Sequence, residues 1–162
     1  MQDIYSLDGH RVSKIVYGTI IILVVILAME DHPPSPAGTV VTLLFSGLGV
    51  ALAELYSDFI GTKINKKSAL SWEERKQITR NVSAVMIGAL LPLPLVILAW
   101  MGFLDLKLAI LLDKWLLVMV LLFYGFVAAK LSGYNNVLSL VSAFAVCTTG
   151  VLVVLVKSAF GH

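Results

Sequence analysis

The chain has 162 residues, 59% of them hydrophobic and only 14% charged, whereas a soluble domain is about 45–50% apolar and about 25% charged. That composition is one of a membrane protein and leaves no room for a second, soluble domain. A net charge of +2 is too small to argue for nucleic acid, and the one cysteine, Cys147, excludes a disulfide framework.

Taken in order, residues 1–11 form a short polar tail. A first span follows at 12–29, with Arg11 and Lys14 as its basic flank. At about 18 residues it is near the lower limit for crossing a bilayer. Its apolar run ends in Glu30-Asp31-His32-Pro33-Pro34 with no small-x-small cleavage signal, so it is read as a retained span and not a secretory leader. Pro33, Pro34 and Pro36 stop the helix and make an acidic outer turn. A second span is expected at 37–60. The one substantial hydrophilic segment, 62–80, then carries Lys63, Lys66, Lys67, Arg75, Lys76 and Arg80. Within it Ser71-Trp72-Glu73-Glu74 has capping-box spacing, which predicts that a helix restarts at Ser71. This helix leads into a third span at 78–101, kinked by Pro92 and Pro94 and anchored by Trp100. A fourth span covers 107–130, with Asp113, Lys114 and Trp115 read as a boundary. Ser132-Gly133-Tyr134-Asn135-Asn136 is a turn, and a fifth span runs over 137–156.

The expected fold is therefore all-α: a tail, 1–11, and a single five-helix transmembrane domain, 12–158. With the N-terminus in the cytoplasm, the inner basic residues are 11, 14, 63, 66, 67, 75, 76, 80 and 130, against 107, 114 and 157 outside. Nine against three, out of twelve in all, sets that orientation by the positive-inside rule.

Two acids lie in the second span. An ionisable group at membrane depth costs about 2.5–3.5 kcal/mol on insertion scales, so each needs a reason. At about 100° per residue, Gly47, Glu54 and Gly61 fall on nearly one line, with Asp58 one turn from Glu54. Asp58 would sit near the inner interface and Glu54 about 6 Å deeper. The pair can ligate a divalent cation or carry protons. The structural alternative pairs Asp58 with Lys63 or Arg80 and gives Glu54 a donor from a neighbouring helix, such as the Asn81 side. Small residues on this helix, Gly47, Gly49, Ala53, Ser57 and Gly61, suit close helix packing. Met86, expected with Arg80, Asn81 and Ser83 to face the second span, adds a soft thioether, although methionine is more often core filler.

Other features carry less. Ser139, Ser142, Ala143, Cys147, Thr148 and Gly150 make the fifth span a tight packing surface with an inert buried thiol. His10, His32 and His162 have no metal-ligand spacing. No P-loop, nucleophile elbow or H-E-x-x-H motif appears, so no enzyme is expected. The 63–80 segment is read by default as the inner loop that topology requires, with a surface for anionic lipid headgroups as the second reading.

Three stretches resemble the vacuolar iron transporter family over roughly 50–160. They are Ala53-Glu54-Leu55-Tyr56-Ser57, Ile87-Gly88-Ala89-Leu90-Leu91-Pro92-Leu93-Pro94, and Ala128-Ala129-Lys130-Leu131-Ser132-Gly133. The resemblance implies a two-fold homodimer of five-span subunits, with an ion path on the axis that exports Fe²⁺ or Mn²⁺ from the cytoplasm in exchange for protons. By motif it carries over Glu54 alone; Asp58 and Met86 come from the residue reading. The chain departs from the family in having no acid in 12–29, and in replacing a Glu-rich cytoplasmic insert with a short basic segment.

The leading expectation is a divalent-cation transporter or permeation pathway of the cell (plasma or inner) membrane, coupled to protons and holding no permanent cofactor. The alternative is a non-transporting scaffold or interaction protein in which the intramembrane acids are structural. Its partners would be the bilayer and a second copy, not nucleic acid.

Overall fold

Prolines, glycines and capping side chains divide the chain into helices. The structure, a computed structural model, describes residues 9–66, 71–145, 148 and 152. Residues 1–8 of the expected tail, Lys67 of the basic segment, and most of the expected fifth span beyond residue 145, Cys147 and Gly150 included, lie outside the described residues. Among the described residues there are six helices and no strand: α1 (Gly9–Met29), α2 (Pro36–Lys66), α3 (Trp72–Leu90), α4 (Leu93–Trp100), α5 (Leu106–Leu131) and α6 (Asn136–Ala145).

Local chemistry sets each boundary. Ser35 caps α2: its hydroxyl accepts from the Gly38 amide at 3.2 Å, and Pro36 follows where no amide is needed. Helix α2 does not end near residue 60 as expected. Ionic side chains replace apolar ones there, but no proline interrupts the backbone ladder, and the helix runs on to Lys66. Its 31 residues span about 46 Å at about 1.5 Å each, longer than the ~30 Å hydrocarbon layer. The expected loop at 62–80 is thus largely two helix ends. Ser71 and Glu74 form a complete capping box: the Glu74 amide donates to the Ser71 hydroxyl, and the Ser71 amide donates to the Glu74 carboxylate at 2.8 Å.

The third apolar stretch is broken, not merely curved. Pro92 and Pro94 lack the amides that would reach the carbonyls of Gly88 and Leu90, and α4 leaves α3 at 45°. Gly102 and Gly133, at φ +82° and +83°, end α4 and α5 in the left-handed turn that a residue without Cβ adopts at little cost. Asp105 then caps α5, accepting from the amides of Lys107 and Leu108 at 2.9 and 3.2 Å.

Helix α1 is the centre. It packs against α3, α5 and α2, and Ile22, Leu23, Ile26 and Leu27 meet Leu43 of α2, Val96 of α4 and Ile110, Leu117 and Leu121 of α5. The closest approach is between α1 and α3. A Cβ on Gly18 would strike the Val85 carbonyl, and one on Gly88 would strike the Ile15 carbonyl and lie 2.9 Å from the Thr19 amide. This pair of backbones touches as small residues permit in a bilayer.

Two stretches, Arg11–Met29 and Pro36–Ile64, are long and apolar enough to cross a membrane, and α3 with α4 makes a third if the bent pair is one crossing. By length and composition the described helices thus provide two or three candidate crossings. Phe45, Leu48, Leu52 and Tyr56 stand exposed along α2, a surface suited to lipid.

Candidate functional site

Glu54 and Asp58 are one turn apart on α2, so both face the same neighbours. Those neighbours are α1 and α3. Lys14, early in α1, donates its ammonium to Glu54 Oε1 and lies 3.8 Å from Asp58 Oδ1. From α3, Asn81 Nδ2 donates to Asp58 Oδ2 at 2.7 Å. Gln77, one turn before Asn81, donates to its amide oxygen at 3.3 Å. The chain Lys14–Glu54–Asp58–Asn81–Gln77 therefore ties three helices together. Glu54 is buried, at 8% exposure, while Lys14 and Asp58 keep about a fifth of their side-chain surface. Among the described residues one ammonium faces the two carboxylates, which leaves that group of three with an excess of one negative charge.

Beside Asp58 lies a cavity of about 240 Å³ lined by Asp58, Thr62, Glu74, Gln77, Ile78 and Asn81. Its donors are hard oxygens: the Asp58 carboxylate, amide oxygens and the Thr62 hydroxyl. Thr62 donates to the Asp58 carbonyl at 2.8 Å, and Glu74 serves the α3 cap. Glu54 does not line this cavity; it sits behind Asp58 against Lys14.

The structure corrects several expectations. Neither Lys63 nor Arg80 pairs with the acids; Lys63 instead lies 5.8 Å over the Phe59 ring. Asn81 bonds Asp58, not Glu54. Met86 is half-buried on α3 and, five residues past Asn81, points about 140° around the helix from it. It does not join the acids. Among the described residues no group of three or more His, Cys, Asp or Glu side chains is placed to hold a metal. Of the small residues, Gly47 is buried, where a Cβ would lie 3.1 Å from Leu90 Cδ2. Gly49, Ala53, Ser57 and Gly61 are exposed, and a Cβ on Gly49 or Gly61 would meet nothing.

Two charged residues acquire roles that the sequence reading did not give them. Lys14, a topological signal in the sequence, lies inside the expected span, and a lysine there needs a partner. Asp113 was read with Lys114 and Trp115 as a boundary. Lys114 does pair with Glu30 after α1, and Trp115 is exposed. Asp113 turns inward, at 0% exposure, and both its carboxylate oxygens lack a hydrogen-bond partner among the described residues. Its spacing from Ile110 and Leu117, three before and four after, is the signal that would have found it. Compared with known protein families, characterised proteins and solved structures, the chain matches none.

Proposed function

We propose that this is a multi-pass membrane protein that moves a cation, and that Lys14 and the moving ion compete for the Glu54–Asp58 carboxylates. The observation that carries the reading is the Lys14 ammonium set against two carboxylates, one of which, Asp58, lines a cavity. A tethered cation marks a place where a free one is stabilised, and the residual negative charge draws one in. Asp58 would meet the ion in the cavity. Displacing the ammonium then opens Glu54 as a second oxygen ligand, while the flexible lysine stem carries its charge toward water. The same carboxylates can take protons in place of a cation, which gives a route to exchange.

The full arrangement we propose has five crossings, formed by α1, α2, the α3–α4 pair, α5 and the segment that α6 begins. The N-terminus lies in the cytoplasm, as the distribution of Lys and Arg favours. A two-fold dimer would use the exposed stripe of Gly49, Ala53, Ser57 and Gly61. The resemblance to vacuolar iron transporters makes Mn²⁺ and Fe²⁺ the ions to test first, although among the described residues no cluster of three ligands supports tight metal capture. No reaction chemistry is assigned.

A second reading is favoured by the burial of Glu54 in its ion pair: the network is a clamp holding α1, α2 and α3, and the protein is a scaffold. Flux of Mn²⁺ into proteoliposomes separates the two. The transport reading requires flux that falls in Asp58→Asn and Glu54→Gln; a scaffold gives no flux while the same variants lose stability.

A further inference from the structure

On the α1–α3 side of the bundle, at the end where both helices begin, Arg11, Arg75, Lys76 and Arg80 surround a cavity of about 350 Å³, with Trp72 and Ser83 completing its wall. Arg11 comes from α1 and the rest from one face of α3. None of the four cations makes an ion pair or side-chain hydrogen bond among the described residues, and the Arg11 Nε is buried without an acceptor. The wall hydroxyls are turned to the helix itself, Thr79 donating to the Arg75 carbonyl at 3.0 Å and Ser83 to the Thr79 carbonyl at 2.8 Å. Their oxygens still offer lone pairs, but the site is short of acceptors and long in donors. The positive end of the α3 dipole lies at the same place.

We propose that this cavity holds the phosphate of an anionic phospholipid from the leaflet facing the N-terminal ends of α1 and α3. Four guanidinium and ammonium groups without a carboxylate partner match a phosphate, which accepts several charge-assisted hydrogen bonds at once. The source is a lipid because of what the cavity adjoins. Lys76, Arg80, Ser83 and Ile87 follow one line along α3, and Ile87 is exposed at 47%, so the cations open directly onto an apolar helix face. Trp72, exposed at 77%, stands at the rim, where an indole sits at headgroup level. The site is separate from the Lys14–Glu54–Asp58 network, and the inference holds whether or not the protein transports.

The test is binding of phosphatidylglycerol to the full chain in neutral detergent, followed by native mass spectrometry. Phosphatidylcholine and inorganic phosphate are the competitors. Phosphatidylglycerol should stay bound where phosphatidylcholine does not, and inorganic phosphate should not displace it. The Arg11→Gln/Arg75→Gln/Arg80→Gln variant should bind roughly a hundredfold more weakly, while Lys107→Gln, at the other end of the bundle, should bind as the parent does. Equal retention of the two lipids overturns the proposal, and so does full displacement by inorganic phosphate, which would mark a site for a free anion. Equal loss in Lys107→Gln would reduce the effect to overall charge and also overturn it. Because the parent protein alone distinguishes the lipids, a variant that fails to fold leaves the test intact.

Discussion

Lys14 on α1 and Glu54 on α2, forty positions apart in sequence, form an ion pair that is largely shut away from water. Without Glu54 that ammonium loses its direct hydrogen-bonded partner and is left with the more distant Asp58 carboxylate. Glu54→Gln should therefore lower stability by about 1.5–3 kcal/mol, softened by Asp58 at 3.8 Å from the same ammonium. Replacing both partners with methionine should recover part of that loss, because the buried position 54 no longer faces a stranded charge, while Asp58 loses its cation and keeps the Asn81 amide. Thermal unfolding of the parent and the two variants in one detergent checks this.

Asp113 gives the opposite sign. Its carboxylate is fully buried and makes no hydrogen bond among the described residues, so Asp113→Leu removes a desolvated polar group and breaks no hydrogen bond among them. Stability should rise by about 1–3 kcal/mol. A large fall on unfolding assays would mean that Asp113 has a partner beyond the described residues.

The α1–α3 contact leaves no room. Gly88→Ala places a methyl against the Ile15 carbonyl and the Thr19 amide, backbone atoms that cannot turn aside. A loss of about 1–3 kcal/mol is expected. Gly49→Ala, with open space around it, should be neutral or slightly stabilising through helix propensity in the monomer.

The proposed dimer turns on the exposed small stripe of α2. Ala53→Leu should leave the monomer's stability within about 0.5 kcal/mol of the parent, since surface changes away from special features are small. The same change should abolish cross-linking between copies through a cysteine placed at Ser57. Undiminished cross-linking would move the interface elsewhere.

Several features were legible in the sequence because they are local. The helix start at Ser71 was written in S-x-x-E spacing, and the cap is fully formed. The apolar runs announced helices, though not where α2 would stop, since a helix outlasts its hydrophobic stretch until something breaks the backbone. The candidate site was half legible. Glu54 and Asp58 could be placed on one face from their spacing, but the partner could not be read from α2 alone. Lys14 comes from a helix brought alongside by tertiary packing, and the close α1–α3 contacts, Gly18 on Val85 and Gly88 on Ile15 and Thr19, involve glycines with no stripe to flag them. Met86 failed for a simpler reason, namely that its register puts it on a different face from Asn81. Asp113 faces inward while its two neighbours face outward, Lys114 pairing with Glu30 and Trp115 standing exposed, so a run of three such side chains hides the inward turn of one residue.

Competition between Lys14 and the transported ion is the centre of this account, and Lys14→Met tests it most directly. Mn²⁺ uptake into proteoliposomes would be measured against Mn²⁺ concentration for parent and variant, with folding verified by circular dichroism. With the tethered cation gone, the carboxylates should bind Mn²⁺ more tightly, so the KM should fall about tenfold, equivalent to about 1.4 kcal/mol. An unchanged KM, or a parent protein that passes no ion at all, would contradict the account and leave the network as a clamp between helices.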